Sequence, residues 1–161
     1  MNHNADVTEV RIAEVGAKPI VWRLFQLYAY EFSEFTHQTV NENGEYTYQW
    51  FDDYWTDPDR FPYLITTDSR LAGFALVRAG SPHAMSEFFV LSALRRGGIG
   101  VDAARQLFER HPGAWQVRQM AANARATAFW HRAISVPFEE VVDDHGPRQL
   151  FRIEPSGIEG P

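Results

Sequence analysis

The 161-residue sequence contains no cysteine, which excludes a disulfide framework, a thiolate nucleophile and a zinc–thiolate site. That absence fits a reducing compartment, and a cytoplasmic location is the expectation. No apolar stretch approaches the roughly 20 residues of a membrane span, so no membrane partner is expected. The opening Met1-Asn2-His3-Asn4-Ala5-Asp6 lacks a basic region followed by an apolar run, so no secretory leader is expected. Positive charge is in short supply: 15 Lys and Arg against 21 Asp and Glu leave a net charge of −6. Such a balance disfavours general affinity for nucleic acid and mildly favours cationic small substrates. The six histidines show no metal-ligand spacing, and no metal is expected. A G-x-S-x-G elbow, a G-x-G-x-x-G fingerprint and a P-loop are all missing, as are repeats and linkers.

What is present reads as one α/β domain, because 161 residues bury a core without staples. Residues 7–15 alternate, Val7, Glu9, Arg11 and Ala13 against Thr8, Val10, Ile12 and Glu14, which predicts a half-buried strand. Pro19 suits the first turn of a helix. Val21, Leu24, Phe25, Tyr28, Phe32 and Phe35 then mark one helical face, read most simply as core, with Glu31 and Glu34 either solvated or turned to a substrate. Between residues 36 and 62 the pattern breaks. Tyr46, Tyr48, Trp50, Phe51, Tyr54 and Trp55 crowd together with four aspartates, and a short helix over 48–55 is predicted, limited by Pro58 and Pro62. The segment reads either as a lid packed on the core or as a wall of an acceptor pocket, where aromatic faces and carboxylates suit an amine. On the second reading Trp50, Tyr54, Trp55 and Glu31 are the candidate substrate-binding residues.

Residues 63–67 and 71–77 predict two strands flanking a compact connection at Asp68-Ser69-Arg70. Residues 115–120 predict a further strand. Asn123 is placed to cap a helix whose face is Ala126, Phe129, Trp130 and Ala133. Strands over 138–142 and 149–153 follow, joined by the turn-rich residues 143–147. The domain is expected to span 1–154, with a frayed tail at 155–161.

The organising stretch runs from Glu87 to Arg110. Phe88, Phe89, Val90 and Leu91 form a short apolar strand, and Val101, Ala104, Leu107 and Phe108 recur at helical spacing. Between them lies a turn carrying Arg95, Arg96, Gly97, Gly98, Ile99 and Gly100. A glycine-rich turn opening a helix is an anion cradle. The missing side chains let the backbone approach a ligand, and unpaired N–H groups point outward at the positive end of the helix dipole. A diphosphate is the natural guest. The bare alternative is a βα turn with glycines for tight packing.

The pattern R-x-x-G-x-G, met by Arg95, Gly98 and Gly100, resembles the acyl-CoA-binding motif of the GNAT superfamily of N-acetyltransferases. Asn123-x-x-Ala126-x-x-Phe129-Trp130 resembles that family's second motif, N-x-x-A-x-x-[FL]-Y. The predicted order β-α-α-β-β-β-α-β-α-β-β is the order of the GNAT fold. The resemblance thus covers nearly the whole chain and implies a single mixed, mostly antiparallel sheet of about seven strands flanked by helices. It implies that backbone amides of the 95–101 turn, Val101 included, hold the pyrophosphate of coenzyme A. It further implies that the ends of two neighbouring strands splay apart, exposing backbone groups near Phe89, Val90 and Leu91. Asn123, Ala126 and Phe129 would lie along the pantetheine arm. Trp130 stands where the family carries a tyrosine near the coenzyme's sulfur, and a Trp supplies no phenolic proton. The resemblance is compatible with a homodimer.

The chemistry so implied is attack of an amine on a thioester. A Lys-like amine has a pKa near ~10.4 and arrives charged, so a base must take its proton. Glu87, an acid in an otherwise apolar strand sharing a face with Phe89 and Leu91, is the candidate base; the alternative is a strand-end carboxylate facing water. Catalytic roles are therefore expected for Glu87 and Trp130. The leading reading is an acetyl-CoA-dependent N-acetyltransferase acting on a small amine. The others are a protein or peptide N-acetyltransferase and a non-catalytic acyl-CoA-binding module.

Overall fold

The computed structural model describes residues 7–157; the reading of residues 1–6 and the last four residues of the expected tail fall outside them. Seven strands form one sheet in the order β1-β2-β3-β4-β5-β7-β6. These are β1 (Thr8–Ile12), β2 (Arg60–Thr67), β3 (Arg70–Arg78), β4 (His83–Val90), β5 (Gly113–Arg118), β6 (Glu139–Asp143) and β7 (Gly146–Ile153). Three helices flank it: α1 (Lys18–Thr36), α2 (Ile99–Arg110) and α3 (Ala124–Ala133). All neighbouring strands are antiparallel except β4 and β5.

Local chemistry explains most of these elements. Pro19 sits in the first turn of α1, and His37 ends the helix in the left-handed region, its N–H donating to the Ser33 carbonyl. The β2–β3 turn works because Asp68 and Ser69 both take positive φ, the condition for a tight hairpin matched to strand twist. Edge strand β1 is covered by α2: Gln106 donates to the Thr8 carbonyl at 2.7 Å and accepts from the Val10 N–H at 3.3 Å. Those bonds occupy edge groups that would otherwise invite pairing with another chain.

The sheet separates two cores. One face packs Leu64, Phe74, Leu76 and Phe89 against Val21, Leu24 and Phe25 of α1, roofed by Phe51 and Tyr54. The other packs Ile65, Ala75 and Val77 against Leu107 and Phe108 of α2 and Trp130 of α3. The short helix predicted over 48–55 is instead a 3-10 turn at Asp52–Trp55. Phe51 and Tyr54 must both reach the core, and the three-residue repeat of a 3-10 turn puts positions i and i+3 on one side.

Two irregularities in β4 shape the site. Leu76 pairs with Glu87 but Val77 pairs with Met85, leaving Ser86 as the extra residue of a bulge. A bulge bends its strand and shifts the alternation by one. Met85 therefore joins the α2 face, while Glu87 and Phe89 turn towards α1. Second, β4 and β5 pair only at His83–Trp115 and Ala84–Gln116. Beyond that point the two strands diverge. Gly73 of β3 lets β4 come close on its other side, since a Cβ there would lie 1.9 Å from the Phe89 carbonyl oxygen.

Candidate active site

The divergence of β4 and β5 opens a cleft of about 1350 Å³. One wall carries residues 85–90 of β4, and the other carries residues 116–120 at and beyond the end of β5. Glycines 98 and 100 with Val101 close one side; Tyr28, Phe32 and Phe35 of α1 reach into the other.

The turn leading to α2 has the conformation its glycines suggested. Arg96 takes φ 73° and Gly98, the helix N-cap, φ 82°. No side chain caps this end, and the first intrahelical bond runs from the Asp102 N–H to the Gly98 carbonyl. The amides of Gly98, Ile99, Gly100 and Val101 thus lack intrahelical acceptors and stand as an anion nest. The glycines differ in purpose. Open space surrounds a Cβ built on Gly97 or Gly98, whereas on Gly100 it would lie 3.0 Å from the Phe129 ring and 3.6 Å from Val90. Gly98 serves the backbone turn, and Gly100 lets α3 approach α2. Ile99 is buried in the core.

Arg95 is held as a strut. Its Nε donates to the Val90 carbonyl at 2.9 Å, and its guanidinium forks onto both oxygens of Glu31 at 2.8 and 3.0 Å. The guanidinium also lies over the Phe89 ring. Of the backbone groups expected to face the coenzyme, the Leu91 N–H is committed to the Ala72 carbonyl at 2.8 Å. Successive residues of an antiparallel strand point their amides to opposite sides, so the Val90 N–H points into the gap.

Glu87 lies at the α1 side of the cleft, open to it on one side and packed by protein on the others. Tyr28 donates to its Oε2 at 2.5 Å. Burial pushes the carboxyl up to about 7, against the downward pull of hydrogen bonds from Tyr28 and Tyr48. Burial, followed by the charge of Glu87, raises both phenols above their ordinary range. The site therefore holds a readily protonated carboxylate beside two neutral phenols. Sequence reasoning placed Tyr28 in the core and gave Tyr48 no separate role. The missed signal was a hydroxyl on the apolar face of α1, level with an acid on a strand.

On α3 the Asn123 side chain accepts from the Ala126 N–H at 3.1 Å, making the predicted cap. Asn123, Ala126 and Phe129 all line the cleft. Trp130 is 6% exposed, with its ring against Phe88, Phe108 and Phe129 at 5.1, 6.2 and 4.9 Å. Among the described residues its indole N–H has no hydrogen-bond partner.

The segment expected to be either a lid or an acceptor wall packs as a roof on the α1 core. None of Trp50, Tyr54 and Trp55 lines the cleft. Tyr54 is 2% exposed beneath α1, Trp55 donates to the Ala13 carbonyl at 2.9 Å, and Trp50 stands at the surface edge-on to Tyr48. The need to fill the α1 face draws Phe51 and Tyr54 inward. On the α1 side the cleft is lined by Tyr28, which stacks on Phe32 at 5.4 Å, and by Phe35, which meets Phe32 at 6.0 Å. Glu31 reaches the cleft as the partner of Arg95.

Residues 22–134 match the family described as Acetyltransferase (GNAT) family. No curated protein matches the chain in sequence. Solved structures share the fold at low identity. The ribosomal-protein alanine N-acetyltransferase of Escherichia coli is 13% identical with a TM-score of 0.62, the alignment covering 96% of this chain and 99% of that one. An acetyltransferase from Thermus thermophilus is 17% identical with a TM-score of 0.67, covering 91% and 97%. An aminoglycoside acetyltransferase crystallised with coenzyme A is 13% identical with a TM-score of 0.64, covering 91% and 95%.

Proposed function

We propose, from the premise that the chain belongs to the acetyltransferase (GNAT) family, that it transfers the acetyl group of acetyl-CoA to a primary amine of a small molecule within a ternary complex. One observation carries the reading. A single cleft holds a nest of unpaired amides at one side and a half-buried, bond-oriented carboxylate at another.

The residues present fit the coenzyme. The amides of Gly98 to Val101 suit its pyrophosphate, and Asn123, Ala126 and Phe129 offer a wall for its pantetheine arm. When bound, acetyl-CoA supplies the activated acetyl thioester. The Val90 N–H is the amide that would polarise the acyl oxygen, a preorganised electrostatic contribution. Glu87 takes a proton from the incoming ammonium; a carboxyl at about 7 is matched to base work at neutral pH. Trp130 packs the wall beside the reacting end rather than supplying a proton. The α1 rings Tyr28, Phe32 and Phe35 favour an amine carried on an apolar body.

A thiol-release assay with acetyl-CoA tests this against a panel of small primary amines and short peptides. Release with small amines, and not with peptide N-termini or lysines, is expected. Peptide-only release would reassign the acceptor, and coenzyme binding with no release from any acceptor would make the chain a binding module.

A further inference from the structure

Among the described residues Glu87 has no cationic partner. From α1 it is faced by Tyr28, with Glu31 one turn further on. The segment before β2 contributes Tyr48, backed by Tyr54 and then Arg60. On the turn side, Arg95 is committed to its two-pronged bond with Glu31. Among the described residues no Lys, Arg or His forms an ion pair with Glu87.

We propose that Tyr28, seconded by Tyr48, is the positioning residue of this site, holding the Glu87 carboxylate in place as a base by donating a hydrogen bond to its ionised form. The inference rests on the reading of Glu87 as the base. A carboxylate among rings and aliphatic side chains must find donors or revert to the acid. An arginine would supply them but would drive the carboxyl far down and leave a poor base. A phenol orients the oxygen without cancelling its charge. Both phenols keep their protons here, since burial and the neighbouring Glu87 charge raise them, so the hydrogen bond runs one way. The same edge of α1 also fixes the far side of the cleft. Glu31 grips Arg95, which ties itself to the Val90 carbonyl at 2.9 Å. One helix edge thereby holds the base and the start of the coenzyme turn in register.

The test follows the Glu87 carboxyl by carbon-13 NMR in the full chain, its signal assigned by loss in Glu87→Gln. In Tyr28→Phe the titration midpoint is expected to move up by roughly one pH unit or more, with a smaller rise in Tyr48→Phe. Carrying 3,5-difluorotyrosine at position 28, a stronger donor of the same shape, is expected to move it down. That variant also serves if Tyr28→Phe fails to fold. An unmoved midpoint in folded Tyr28→Phe, or in the fluorinated protein, overturns the proposal. The acid limb of kcat/KM, measured with the best amine of the panel, is expected to shift with the midpoint while KM for acetyl-CoA holds. A midpoint that moves without the rate limb overturns the proposal through its premise, because Glu87 is then oriented by Tyr28 but is not the base.

Discussion

The two ends of the cleft do similar work by different means. The coenzyme end is made of backbone: a left-handed turn at Arg96 and Gly98 leaves four consecutive amides pointing outward at the start of α2. The acceptor end is made of side chains from three separate segments, with Glu87 on β4, Tyr28 on α1 and Tyr48 before β2. Amides in a turn are fixed by the covalent chain, so most side-chain changes there leave them in place. A carboxylate held by the Tyr28 phenol depends on how α1 and β4 pack, and loss of a single oxygen changes its chemistry.

The largest expected effect lies at the side-chain end. Glu87→Gln should lower turnover at neutral pH by ~10²–10⁴-fold, the usual worth of positioned base catalysis, with coenzyme affinity unchanged. The sign with pH follows from the raised carboxyl: the wild-type rate should climb as pH passes about 7 and the base ionises. The loss in Glu87→Gln should then shrink at higher pH, where the free amine deprotonates itself. Wild-type turnover in the variant at pH 7 would demote Glu87 to a structural residue.

Trp130 tests whether the wall between the two ends is packing or chemistry. Its ring fills space among Phe88, Phe108 and Phe129, so Trp130→Ala should cost ~3–5 kcal/mol of stability and weaken coenzyme binding. Trp130→Phe should keep most activity. Thermal unfolding and turnover at saturating acetyl-CoA separate the two. Collapse of turnover in Trp130→Phe, with affinity intact, would show that the indole N–H takes part in the reaction.

The smallest effects sharpen the backbone end. Gly100→Val meets Phe129 and Val90 and should cost ~1–3 kcal/mol by overpacking while displacing α3 from the coenzyme wall. Gly98→Ala meets nothing but must hold φ 82°, at ~1–2 kcal/mol. Calorimetric coenzyme affinity together with melting temperature should show both losses in Gly100→Val and mainly a stability loss in Gly98→Ala. Equal behaviour of the two would mean that the glycines share one purpose.

How far each end could be read in advance follows from the same difference. The turn was legible because its signal is contiguous: glycines between an apolar strand and a helical repeat. The Asn123 cap was legible for the same reason, and so was the facing of Glu87 with Phe89, although the bulge at Ser86 that governs the facing of β4 left no mark in the residue pattern. The choice between lid and acceptor wall for Trp50, Tyr54 and Trp55 was not legible. Aromatic residues carry the same sequence signal whether they fill a core or line a pocket, and here the unfilled α1 face claimed Tyr54. Arg95 was recognised as part of the motif, but its commitment to Glu31, 64 residues away, was not visible.

By itself the sequence determined the order of elements apart from the helix predicted over 48–55, the turn and its amides, and the cysteine-free, acidic character of the chain. These rest on period, conformational freedom and composition, all local or additive properties. Only the tertiary structure decided that β4 and β5 part after two paired residues, that Leu91 spends its amide on β3 while Val90 keeps its own for the gap, and that Tyr28 reaches Glu87. Each of these depends on which distant groups packing brings within hydrogen-bond reach, and that is a property of the folded chain as a whole.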